Sequence, residues 1–219
     1  MVLTTAMAVM IGSSSRADVL TWDADAGTAG NQDGAGTWMV AQPNWFNGTT
    51  STANQNWVDG SDAIFGVGSG AAGAVTLGGP ITVGALTFDP TGSGAYTLSG
   101  DVLTLTGGVT MNAAATIQSV LAGSAGLNLS GSQMLTLSGG SANTYTGTTT
   151  IDGGATLMLS RTAGVTAVTG DISITNGGRL RMSAADQIDD GATVTMSGAT
   201  SVFNGSAPNS GPSNQAETF

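Results

Sequence analysis

The sequence predicts an all-β chain whose short strands wind into a parallel β-helix. Three observations predict it. Apolar residues alternate with Thr or Ser in short runs such as VTL, ITVGALTF, VLTLTGG and MLTLSGG, the period-two pattern of a strand with one buried face. Ten-residue segments recur without gaps: IDGGATLMLS at 151–160, ITNGGRLRMS at 174–183 and IDDGATVTMS at 188–197. The composition completes the case, with 8% of residues charged, 40% hydrophobic and 35 of them Gly, whereas a typical soluble domain is about 25% charged. Such a chain buries apolar surface through many small side chains, which suits a thin, repetitive core.

The three segments share the form Ile-x-x-Gly-x-x-(Leu/Val)-x-(Leu/Met)-Ser, and a related MNAAATIQS begins at Met111. LSGDVLTLTGG at 98–108 matches LSGSQMLTLSGG at 129–140 with one residue inserted. Each unit is a strand end, a tight turn and a new strand. Asp, Asn and Gly tolerate the positive φ of such a turn, and the following Leu-x-Leu places two side chains on one face. A single unit cannot bury that face, but stacked units can, so self-similarity of this kind signals a solenoid. The starts at 151, 174 and 188 are unevenly spaced. That favours a β-helix with variable corners over a propeller, whose blades repeat at a near-constant length of about 40 residues. A sandwich of short strands is the competing arrangement.

In chain order, residues 1–17 read as a signal peptide: Met1 to Ile11 is largely apolar, and Ser15 and Ala17 stand as a small-x-small cleavage site before Asp18. The basic residue expected ahead of the apolar run is missing. The run is also too short to span a bilayer, which takes roughly 20 apolar residues. Residues 18–73 form a Trp-rich region holding Trp22, Trp38, Trp45 and Trp57. A bulky aromatic block at this place caps the first coil of a solenoid, whose strand edges would otherwise be bare. The alternative is a row of exposed rings that stack on sugars, a carbohydrate-binding module; burial separates the two readings. Residues 74–203 carry the solenoid repeats, and 204–219 read as a loop and a probable truncation point of a longer solenoid.

Chemistry is sparse. The chain has no His and no Cys, so no Ser-His-Asp or Cys-His centre, disulfide or zinc site can be built. Between Pro90 and Ile151 the only charged residue is Asp101, too few for the carboxyl pair of a glycosidase. No catalytic residue, cofactor or metal is expected, and the chain reads as non-enzymatic. Asp23 and Asp25 could open a calcium loop, but Thr28 and Gly34 occupy the positions where an EF-hand needs Gly and Glu. Asp189 and Asp190 sit in the turn that holds Asp152-Gly153 and Thr175-Asn176 in the other repeats and so read as turn residues. The net charge of −10 and the lack of any Lys or Arg from 17 to 160 argue against nucleic acid. Arg179 and Arg181, two apart, are expected on one outward strand face, and the sequons at Asn47, Asn128 and Asn204 are of the kind that chance supplies in such a chain.

The stretch LTLSGGSANTYTGTTTIDGGATLMLS, Leu135 to Ser160, resembles the autotransporter-associated β-strand repeat family. The Asn-Thr-Tyr-Thr-Gly core at Asn143 to Gly147 and the Gly turn before Leu-x-Leu carry the likeness, and the opening LTWDADAG with its spaced Trp residues and DAIFG is similar to secreted members. The resemblance implies a right-handed parallel β-helix serving as the exposed passenger of an exported protein, extracellular or associated with the outer membrane. It implies an adhesive role toward surface glycans or other cell-surface proteins. The 219 residues leave no room for both a passenger and an outer-membrane barrel, so a fragment of a longer protein is the expectation.

Overall fold

A computed structural model describes residues 18–205 apart from 29, 49–53, 67 and 69. Strands are the only regular elements among the described residues. The chain opens with β1 (Val19–Trp22), β2 (Gly36–Trp38), β3 (Trp45–Phe46), β4 (Asn54–Gln55) and β5 (Asp62–Phe65). Three full coils follow, each laying one strand on a front, a side and a back face. They are β6 (Ala74–Leu77), β7 (Ile81–Val83) and β8 (Leu86–Phe88); β9 (Tyr96–Gly100), β10 (Leu103–Leu105) and β11 (Val109–Met111); and β12 (Ala115–Ile117), β13 (Leu121–Ala122) and β14 (Leu127–Gly131). The later coils keep front and back strands only: β15 (Met134–Gly139) and β16 (Thr149–Ile151), β17 (Thr156–Arg161) and β18 (Ile172–Ile174), β19 (Arg179–Met182) and β20 (Val194–Met196), then β21 (Val202–Asn204).

The front sheet runs β2-β6-β9-β12-β15-β17-β19-β21, the side sheet β7-β10-β13, and the back sheet from β20 through β18, β16, β14, β11, β8 and β5 to β1, β3 and β4. Every pairing is parallel except β1 with β3 and β3 with β4. The fold is a parallel β-solenoid of about six turns, as the alternation and repeats predict.

Most strands bury their first and third residues and turn the second outward. In-register pairing therefore stacks like on like inside the coil. Leu86, Val109, Leu129, Ile151 and Ile174 form one inner column, and Tyr96, Ala115, Leu135, Leu157 and Leu180 another. Corners are tight. At Gly131, with φ of +100°, an added Cβ would run into the carbonyl of Met111 one coil below, so both the dihedral and the close approach demand glycine.

The coordinates also explain the uneven spacing of the repeats. The segments at 151–160 and 174–183 occupy the same corner, leading from the back sheet to the front sheet, and Ile151 pairs with Ile174. The segment at 188–197 sits at another corner: Ile188 bridges Val168 on the side face and the chain then enters β20 of the back sheet. What repeats is the strand-turn-strand unit, whichever corner it turns.

Candidate functional site

The four Trp residues come from three different strands and a loop, and they meet inside the first coils. Trp22 lies on β1, Trp38 on β2, Trp45 on β3, and Trp57 follows β4. Trp45 is at the centre, with ring centroids 4.6 Å from Trp57, 4.8 Å from Trp38, and 5.5 Å from both Trp22 and Phe65. Phe65 passes the stack on to Phe88 and Tyr96. The indole N–H of Trp22 donates to the Gly34 carbonyl at 3.2 Å and that of Trp57 to Asp59 Oδ1 at 3.0 Å.

All four indoles are 0–1% exposed. By the burial criterion Trp22, Trp38, Trp45 and Trp57 fill the core as a cap does, rather than standing as a row of exposed rings. Stacking on a sugar needs an open ring face, and these faces are covered by one another and by the core.

The acidic loop beside them is stitched internally. Asp23 is buried, and its Oδ1 accepts from the backbone amides of Asp25 and Gln32. Asp25 accepts from the Gly27 amide and the Thr28 hydroxyl, which hold its carboxyl below the ordinary value. Tyr96 donates to Asp33 Oδ1 at 2.7 Å. Asp189 likewise accepts from the Gly191 amide within its own turn. Among the described residues no three acidic, His or Cys side chains gather as metal ligands. Of the sequon residues, Asn47 is buried, whereas Asn128 and Asn204 are exposed.

A second polar centre lies inside the solenoid. Arg161, at the end of β17, is 1% exposed. Its guanidinium donates to the carbonyls of Ser138 at 2.8 Å and Ser119 at 2.9 Å, and to the side-chain oxygen of Asn143. Asn143 Oδ1 also accepts the Leu121 amide at 2.9 Å, while its Nδ2 donates to the Ala167 carbonyl at 2.7 Å. The Arg161 amide in turn donates to Gln187 Oε1 at 2.8 Å. Through its side chain and its backbone amide, Arg161 thus ties together four successive coils. No carboxylate among the described residues partners it, and burial pushes its pKa down. Gly139, the last residue of β15, has a φ of +99°, and an added Cβ would stand 3.0 Å from the Gln118 carbonyl and 3.4 Å from the guanidinium Nη1.

No protein-family model matches the sequence, and no solved structure matches it. A curated relative does: the adhesin BmaC autotransporter of Brucella suis biovar 1 (strain 1330) is 39% identical over 207 residues, which is 90% of this chain. The chain is homologous to a segment of an autotransporter adhesin. It spans 6% of that adhesin's length. Among the described residues, no helix is long and apolar enough to cross a membrane.

Within the solenoid, the Asn-Thr-Tyr-Thr-Gly motif now has a physical role. It runs along the side face where the strand ladder has ended, and the Asn143 side chain supplies the acceptor that a backbone carbonyl supplies elsewhere. Tyr145 is fully buried and its hydroxyl pairs with Thr149 Oγ1 at 2.7 Å. Sequence reasoning did not single out Arg161, although strand parity places it on the face of Leu157 and Leu159.

Burial raises the Tyr145 phenol from 10.0 to about 12. The unfolded chain therefore releases this proton first. The stabilising contribution is complete below pH 10 and is lost as pH rises through about 12. Tyr145→Phe is expected to flatten the fall of the urea midpoint across that window. An unchanged slope would mean that the phenol is not what titrates.

Proposed function

We propose that the chain is a non-enzymatic adhesive module displayed on the surface of a bacterium, in the manner of an autotransporter passenger. The observation that carries this reading is 39% identity, over 90% of the chain, to a protein named as an adhesin. The fold supports it. A solenoid built from nearest-neighbour coils is stiff, and its length grows with each coil, so it carries an outward face away from the cell. The absence of His and Cys from the sequence removes the usual nucleophilic and zinc chemistries. Export to the surface follows from the same relationship.

The test uses the purified chain coupled to beads. The beads are expected to adhere to cultured cells above uncoated beads, and soluble chain should compete the adherence away. Equal adherence of coated and uncoated beads would remove the adhesive reading. Display is checked separately, by adding protease to intact bacteria and following loss of the chain.

A further inference from the structure

We infer that Arg179 and Arg181 form a binding site for an acidic polysaccharide, through sulfate or carboxylate groups carried on its sugars. The assignment rests on the adhesive reading and names the class of surface it recognises. The chain has four basic residues against 14 acidic ones. Arg16 lies outside the described residues, and Arg161 is buried. That leaves Arg179 and Arg181 as the exposed cations among the described residues.

Both project from β19 on the outer face of the front sheet, while Leu180 and Met182 between and beyond them point inward. Residues two apart on one strand are spaced by about 6–7 Å. In such an acidic protein, a basic side chain readily finds a carboxylate. Yet neither arginine side chain makes an ion pair or hydrogen bond among the described residues.

The ladder around them is uncharged on both sides. Arg179 stands between Thr156 and Val202, and Arg181 between Met158 and Asn204. Two planar guanidinium forks are thus presented on one face, each able to take a sulfate or carboxylate in bidentate fashion. Met158 and Val202 offer apolar surface beside them for the C–H face of a sugar, and Val202 is 41% exposed. The chemistry selects against other anions. Nucleic acid needs many phosphate contacts and would meet a net charge of −10. Two charges hold an anionic lipid surface only weakly, since lipid-binding segments carry clusters of about 4–8 basic residues.

The experiment measures binding of the full chain to immobilised heparin, with hyaluronate and neutral dextran as comparisons. Unmodified chain should bind heparin and not dextran, with affinity falling as salt rises. Hyaluronate binding would show that carboxylates suffice. The double variant Arg179→Thr/Arg181→Thr should bind at least about tenfold more weakly, the scale of one charge-assisted hydrogen bond. Its melting temperature should not change, because Thr already occupies the outward position at Thr136 and Thr156 of neighbouring coils. The Lys double variant should fall between, keeping charge but losing the fork.

Equal heparin binding by the double variant, or no heparin binding by the unmodified chain, overturns the assignment. So does competition by poly-glutamate as strong as that by heparin, which would point to an acidic protein instead. The bead assay separates the two readings. A double variant that adheres as well as the unmodified chain sinks this site and leaves adhesion standing, whereas beads that never adhere sink adhesion while heparin still decides the site.

Discussion

Asn143→Leu is expected to destabilise the solenoid by about 3–5 kcal/mol, the cost of breaking a buried charge network from one side. The substitution deletes three interactions at once: the acceptor for Leu121 N–H, the donor to the Ala167 carbonyl, and one ligand of the Arg161 guanidinium. The first two leave buried backbone groups without their partners, and the third leaves a cation in a site that is 1% exposed. Arg161→Met should cost less, because removing the charge also removes the penalty of burying it. The double variant should then be less unstable than the two single effects added, since Asn143→Leu no longer strands a charge. Urea midpoints followed by far-ultraviolet circular dichroism give all three numbers. An Asn143→Leu cost under about 1 kcal/mol, the scale of one ordinary hydrogen bond, would mean that the carbonyls of Ser119 and Ser138 satisfy the guanidinium unaided.

Trp45→Ala should cost about as much, roughly 3–5 kcal/mol for truncating a large buried aromatic side chain, but its effect should be local. Trp45 touches Trp22, Trp38, Trp57 and Phe65 together, so its removal opens a hole that no single neighbour can fill. Solenoid coils are coupled mainly to their neighbours. The first coils should therefore loosen while those beyond β9 keep their order. Limited chymotrypsin digestion checks this, with early cleavage expected near Trp38 and Trp57 and a resistant fragment carrying the later coils. Unchanged stability combined with loss of binding to a glycan would reverse the conclusion drawn from burial and make the rings a sugar platform after all.

Strand character was legible because alternation is a local property of the chain. ITV, LTL, VTM and ATI each announce two inward residues and one outward, and the structure places them so. The coil itself was harder to read. IDGGATLMLS and IDDGATVTMS look equivalent, yet they turn different corners; a corner depends on what lies beneath it, and sequence similarity does not record that. The same parity rule that set Arg179 and Arg181 outside sets Arg161 inside, two residues beyond Leu159. Its burial was missed because a charged side chain is normally assigned to solvent, and the polar partners that make burial tolerable come from coils 18 to 43 residues away. The Trp residues posed a different difficulty. Their clustering depends on β1, β2 and β3 converging from loops that carry no repeat, so the aromatic block suggested a cap while spacing alone left display open as the alternative.

The two ends of the described solenoid are finished differently. At the first coils four indoles plug the core and the strand direction reverses at β3 and β4. At the last, β20 and β21 keep the parallel register, yet Met196 is 48% exposed and Val194 and Phe203 are only partly buried. Among the described residues the core is therefore plugged at one end only. A further strand finds a parallel template beside β20 and β21, and not over the indoles. A rod with a single adhesive tip can join another tip to tip and stop at two, whereas a fibre requires two tips. The plug at the first coils thus gives the described solenoid a polarity, with one end built for packing and the other for pairing.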